Sequence, residues 1–279
     1  MKIDIKTNPH HASWDRMVAT WQRADEIEAI EGAWVFDHFY PLVGDHAGPC
    51  LEGWTTLTAL AQATKRLLVG TMVNAMPYRH PALTANMAST VDVISNGRLQ
   101  LGLGAGWNQE EAGAYGISLG ETLRERMDIF DEGVEVIVRL LTEAEVDFDG
   151  THFQLTKARN EPKGIQKPHP PITIGGGGET RTLRTVARWA QHWNLAPSSM
   201  DEWARKRDIL HRHCDAVGRD PTEIMCSMMA PFDPETPDDL YARLATAQAA
   251  GLDKVVVNLA SPHDPGHVDE VAAIASRLE

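Results

Sequence analysis

The chain has 279 residues, 43% of them hydrophobic and 23% charged, which supports a packed core and excludes a disordered or low-complexity chain. Its 26 Lys and Arg against 39 Asp and Glu give a net charge of −13. That balance argues against recognition of a nucleic-acid backbone, but not against one small anion held by local donors. No apolar run approaches the ~18 residues of a membrane helix, and the Lys- and Asp-punctuated start lacks the apolar stretch of a signal peptide. Cys50, Cys214 and Cys226 have neither metal nor disulfide spacing, so a reduced, cytoplasmic protein is expected.

In chain order, Lys2–Thr7 alternates like a strand, and Ser13–Ile30 reads as a helix with an N-cap Ser. Gly32–His38 is a short apolar strand and Leu51–Thr64 a helix. Leu67–Val73 is a strand, Ala82–Ser95 a helix closed by Asn96-Gly97, and Arg98–Gly104 a strand. Thr122–Thr142 is a long helix with Ile129, Phe130, Val134, Ile137, Val138 and Leu141 on one face. The second half continues with strands at Ile172–Ile174, His192–Ala196, Ile224–Phe232 and Lys254–Ala260. Helices follow them at Thr180–Ala190, Asp201–Val217, Pro237–Ala250 and His267–Leu278.

These are eight strand–helix units of about 35 residues each, with strands that read as continuous apolar runs. The simplest closure is an α/β fold of the (β/α)8 (TIM) barrel type, the alternative being an open doubly wound sheet. The whole chain is expected to form one domain. An excursion at about 143–171 carries a hairpin signal around Asp149-Gly150 and is either a lid or packing on the barrel rim.

In a barrel the site lies at the C-terminal ends of the strands. The second strand ends Phe36-Asp37-His38, a charged pair closing an apolar run. It is either a proton-carrying histidine oriented by an acid or a capping pair. The third strand runs through Gly70, Met72, Val73, Asn74, Ala75 and Met76; either Gly70 allows close backbone approach and Asn74 and Tyr78 offer polar groups at the strand mouth, or the methionines are core and Asn74 a turn residue. Gly102, Gly104 and Gly106 leave one face of the fourth strand end bare, so a planar ligand could lie on the backbone. The polar stretch Asn108–Glu111 that follows is not the apolar opening of a dinucleotide-binding helix. Gly175–Gly178 turn straight into a helix, an arrangement that exposes backbone N–H groups to an anion such as a phosphate, with Arg181 or Arg184 as added charge. The adjacent His10 and His11 point to opposite sides of an extended chain, so no metal site is expected.

Trp34–Phe39 (WVFDHF), Gly70–Pro81 (GTMVNAMPYRHP), Thr90–Gly97 (TVDVISNG), Arg98–Trp107 (RLQLGLGAGW) and Pro171–Arg184 (PITIGGGGETRTLR) together resemble the bacterial luciferase-like family. More narrowly they resemble its branch of coenzyme F420-dependent oxidoreductases. The resemblance implies a homodimeric (β/α)8 barrel with a deazaflavin, or flavin mononucleotide (FMN) in the alternative, across its mouth, and a small-molecule substrate. By the same resemblance His38 would transfer a proton beside the reactive ring and Asp37 would touch the cofactor. Met72–Val73 would form a non-proline cis peptide pressing on the ring. Asn74, Ala75, Gly104, Ala105 and Gly106 would touch the ring and its side chain, and Gly176, Gly177 and Gly178 the cofactor phosphate. Trp107 stands where the sugar-phosphate dehydrogenases of the family carry Glu, and Tyr40-Pro41-Leu42 lacks their Trp, so glucose 6-phosphate is not the expected substrate. The expected activity is hydride transfer between F420 and a small organic molecule, with an FMN-dependent monooxygenase as alternative and a non-redox barrel or metal hydrolase as a further one.

Overall fold

A computed structural model describes residues 1–278. The elements are β1 (Lys2–Thr7), α1 (Trp14–Glu26), β2 (Ile30–Val35), α2 (Gly53–Ala63), β3 (Leu68–Thr71), β4 (Asn74–Ala75), α3 (Pro81–Ile94), β5 (Leu99–Gly104), α4 (Gln109–Ala114) and α5 (Leu123–Thr142). They continue with β6 (Val146–Asp149), β7 (Gln154–Ala158), β8 (Ile172–Gly175), α6 (Thr182–Trp189), β9 (His192–Leu195), α7 (Met200–Val217), β10 (Met225–Phe232), α8 (Pro237–Ala249), β11 (Lys254–Leu259) and α9 (Pro265–Ser276).

The main sheet runs β3-β2-β1-β11-β10-β9-β8-β5-β4, all pairs parallel. A further pairing of β3 with β5 closes it. Because β3 and β4 are two pieces of one stave interrupted at Met72–Val73, the result is the eight-stave barrel expected from the strand–helix rhythm. Ser13 caps α1 by accepting Arg16 N–H, and Gly218 ends α7 in the left-handed region at φ 68°. Helix α1 stops at Glu26, four residues short of the expected end. Ile27 is already extended, which frees Ile30 to begin β2 as a buried sheet residue.

Inside the staves, Trp34, Met72 and Val256 form an apolar layer. Beneath it, Asp4 accepts hydrogen bonds from Trp34 Nε1 and Lys254 Nζ, each at 2.8 Å, and Lys254 also reaches Glu31 at 2.7 Å. This paired plug closes the N-terminal end of the barrel. Gly70 has no room for a side chain, since a Cβ there would sit 2.4 Å from Gln100 O.

The excursion contains an antiparallel β6–β7 pair. It is pinned along the outside of the barrel, where Glu132 of α5 accepts N–H from Thr151 and His152 at 3.0 and 2.8 Å. Lys163 Nζ donates to the last carbonyls of α5, Leu140 O at 2.8 Å and Glu143 O at 2.6 Å. None of its described residues borders the cavity described next.

Candidate active site

A cavity of about 730 Å³ opens at the C-terminal ends of the staves. Of the residues singled out from sequence, Asp37, His38, Met72, Val73, Ala75, Gly104, Ala105, Gly106, Gly176 and Gly177 border it. Asn74 and Gly178 do not. The Asn74 carboxamide turns away, accepting from Trp54 Nε1 at 3.0 Å and Arg79 Nη1 at 3.3 Å.

His38 is fixed from behind. Its Nδ1 lies 2.6 Å from Glu111 Oε2, and the same oxygen accepts the Tyr78 hydroxyl at 2.5 Å. Glu111 Oε1 accepts the Phe39 N–H at 2.5 Å, and the side chain is fully buried. Burial alone would raise this carboxyl's pKa, but the bonds from His38, Tyr78 and Phe39 N hold it below the usual carboxylate value. A carboxylate only accepts, so Nδ1 carries the proton and Nε2 is left as the working nitrogen. Burial and the Glu111 charge also push the Tyr78 phenol up. The Phe36 ring meets His38 edge-on at 5.1 Å, and the exposed Trp107 ring lies 5.6 Å from it at the rim.

Asp37 is the second buried acid. Its Oδ2 accepts from Arg79 Nη1 at 2.7 Å and from Ala75 N at 3.3 Å, while its Oδ1 is buried without a partner among the described residues. Burial pushes its pKa up to about 6 against the pull of Arg79. Arg79 is held in turn by Glu52 Oε1 at 2.6 Å.

The Met72–Val73 peptide is cis, as the family resemblance implied. The Val73 side chain lies across the glycines: a Cβ on Gly104 would sit 2.6 Å from Val73 Cγ2, and one on Gly175 3.1 Å from Val73 Cγ1. The bare strand end therefore makes room for Val73 before it offers anything to a ligand, and a planar ring would rest on Val73. At the other end, Gly176 adopts φ 118° and gives its N–H to Asn194 O at 3.0 Å. Gly177 and Gly178 have no such partner among the described residues, and Arg181, the N-cap of α6, caps that helix with no side-chain bond. A Cβ on Gly177 would sit 2.6 Å from both Leu195 Cδ1 and Lys206 Nζ. A glycine turn of this kind with an ammonium beside it has the donors that an anion would need.

The expected arginines are not there. Arg181 is bonded to Asp128 and Asp131, each at 2.6 Å, and Arg184 to Asp131 at 3.1 Å, because α5 presents its own carboxylates to them. Lys206 of α7, paired with Glu202 at 2.9 Å, takes that place. Neither His10 nor His11 faces the cavity; His10 Nδ1 accepts the Leu42 N–H at 3.3 Å and the His11 ring contacts Val43 O. Sequence reasoning placed Tyr78 at the strand mouth, where it borders the cavity, but missed Glu111, Arg79, Lys206 and Lys6. For Glu111 one signal existed, the spacing of a cap Asn108 and an acid three residues on, but it reads as a solvent-exposed helix start.

One mouth of a (β/α)8 barrel thus joins a cis peptide, a glycine turn with unpaired N–H groups among the described residues and a histidine oriented by an acid. The chain belongs to the luciferase-like monooxygenase family, whose model matches residues 1–272. It is 32% identical over 177 residues to an F420-dependent glucose-6-phosphate dehydrogenase of Amycolatopsis mediterranei, covering 62% of this chain and 50% of that one. It is 28% identical over 286 residues to an F420-dependent hydroxymycolic acid dehydrogenase of Mycobacterium tuberculosis, covering 93% and 76%. With uncharacterized mycobacterial relatives the match spans 58% of their length. An F420-dependent secondary alcohol dehydrogenase, solved with an F420–acetone adduct, superposes with a TM-score of 0.87 at 17% identity over 100% of this chain and 99% of that one, a likeness of fold.

Proposed function

We propose that this protein is an oxidoreductase that moves a hydride between coenzyme F420 and a small organic substrate. The observation that carries the reading is the pairing, in one cavity, of the Gly177–Lys206 anion cradle with a histidine whose Nδ1 is fixed on Glu111. The residues fit a phosphate-bearing planar cofactor: the cradle has no space for a side chain, and Asp37 keeps an unpartnered oxygen in the wall.

When bound, the deazaflavin ring supplies the redox chemistry. Gly176, Gly177 and Lys206 would hold its phosphate, Val73 would support the ring, and Asp37, held by Arg79, would face its polar edge. His38 gives or takes at Nε2 the proton that accompanies hydride transfer, and Glu111 fixes the tautomer and balances the imidazolium charge. Leu42, Phe36 and Met229 give the cavity apolar lining that would disfavour water beside the reacting groups.

The family also supports FMN-dependent monooxygenation, because a phosphate and a tricyclic ring are common to both cofactors. Titration of the purified protein with each cofactor decides between them: F420 binding is expected, and tight FMN binding without F420 binding refutes the first reading. A homodimer through α2 and α3 is supported by a largely apolar groove of about 660 Å³ that includes Trp54, Met87, Val91 and Ile94. Sedimentation equilibrium of the protein and of Ile94→Glu tests it, a dimer converting to monomer being the expected result.

A further inference from the structure

Strand β1 sends two inward-facing charges into the barrel, and only one of them is answered. Asp4 is bonded to Lys254 and Trp34 in the plug. Lys6, one turn of the pleat higher, is 9% exposed and has no hydrogen bond or ion pair among the described residues. Its ammonium borders the cavity 5.9 Å from the centroid of the Phe36 ring. The same ring packs against His38, so Lys6 and His38 flank one aromatic wall.

The other cations bordering the cavity are engaged elsewhere. Lys206 is paired with Glu202, and Arg126 donates to Gly106 O at 3.2 Å near the rim. The groups beside Lys6 are apolar or neutral, Phe36 under its ammonium and Trp34 and Asn258 on the neighbouring strands, and Met72, Met229 and Asn194 also line the cavity. His10 feels the Lys6 charge, and the acids bordering the cavity are held elsewhere, Asp37 through one oxygen by Arg79 and Ala75 N and Glu202 by Lys206. A buried ammonium in such surroundings lacks the counter-charge that would offset its lost hydration.

We propose that Lys6 is the substrate's anion anchor, and that the molecule admitted to this cavity carries a carboxylate that pairs with the Lys6 ammonium below His38. The carboxylate supplies the missing partner in a water-poor floor, where a charge-assisted hydrogen bond is strongest. The rest of such a molecule extends past Phe36 toward His38 Nε2 and the Val73 side. Burial lowers the Lys6 pKa to about 8, so the anchor is charged at neutral pH and discharges in mildly alkaline solution. The proposal rests on the oxidoreductase reading only in taking this cavity as the substrate's.

The test uses the full chain without cofactor, titrated calorimetrically with benzoate and with benzyl alcohol, its neutral counterpart. The expected result is benzoate binding roughly tenfold or more tighter at pH 7, a preference that fades as pH rises through 8. It is lost in Lys6→Met and kept in Arg126→Gln. Equal affinity for the two probes at pH 7, including none for either, overturns the proposal, as does a preference that survives Lys6→Met. If Lys6→Met does not fold, the pH series of the unmodified protein decides alone: a preference unchanged between pH 7 and pH 10 overturns it. F420 titration of Lys6→Met runs alongside. Lost coenzyme affinity with the benzoate preference intact assigns Lys6 to the cofactor and overturns the anchor, whereas absence of F420 binding in the unmodified protein defeats only the cofactor reading.

Discussion

Glu111→Gln tests the proton-carrying arrangement most directly, because it keeps the side chain's shape and removes its charge. The amide oxygen can still accept the Phe39 N–H, now 2.5 Å from Oε1. The amide NH2 then faces His38 Nδ1 and the Tyr78 hydroxyl, which stand 2.6 and 2.5 Å from Oε2 and both donate today. A hydrogen bond to a charged group contributes roughly 1.5–3 kcal/mol. Tyr78 can turn its hydroxyl and accept, and His38 can accept at Nδ1 in its other neutral tautomer, so two charge-assisted bonds become neutral ones and the expected loss of unfolding free energy is about 2 kcal/mol. The pH dependence has a definite sign. Glu111 titrates below its ordinary value in the folded state, so its contribution is full above the ordinary carboxylate range and lost as pH falls through its folded pKa. Urea unfolding of both proteins should show the full gap at pH 7, narrowing as pH is lowered toward 4 and below. His38 in the variant carries its proton on Nε2 when neutral and has no counter-charge when protonated, so turnover should fall by about 10²–10⁴. A stability gap below about 1 kcal/mol at pH 7, or one of equal size at every pH, would refute the reasoning.

Gly177→Val places carbon where Leu195 and Lys206 already stand, and should abolish F420 binding in a fluorescence titration while the far-ultraviolet circular dichroism is unchanged; intact affinity would make the glycine run a plain turn. Asp37, with a folded pKa of about 6 against 3.8, favours folding fully below pH 4. On the order of 2–3 kcal/mol of that is lost as pH rises through 6; Asp37→Asn should remove this step from a comparison of urea midpoints at pH 4 and pH 7, and an unchanged step counts against it. His38→Ala should lower kcat far more than it raises the F420 dissociation constant, and an effect on binding alone would make His38 a contact. Gly102→Ala would put a Cβ 1.7 Å from Thr71 O, a backbone atom, and should yield little folded protein in a thermal melt, whereas a melt like that of the unmodified chain would mean the β3–β5 contact is looser than described.

How much of this was legible in the chain differs between fold and site. The eight strand–helix units were readable because each strand is a short apolar run and each helix has its own cap or stop. Ser13 caps α1 and Asn96-Gly97 follows the end of α3, as the sequence alone implies. Boundaries slipped where no such signal exists, as at Ile27–Ile30. The glycine run and the Asp37-His38 pair were visible because they are costly without a purpose, and both border the cavity.

Closure decided the rest. Side chains that share the site lie far apart in the chain, as Glu111 lies 73 residues from His38, and nothing local records their meeting. The same acid at the start of a short helix reads as surface until the barrel turns α4 over its mouth. The alternating charges of β1 illustrate this most plainly. On an open doubly wound sheet Asp4 and Lys6 would lie under covering helices, and only a closed barrel turns that polar face onto an interior of its own. There one charge is paired in the plug and the other stands beside Phe36 without a partner. Sequence set the period of the strand, and the tertiary structure chose which side of it was inside.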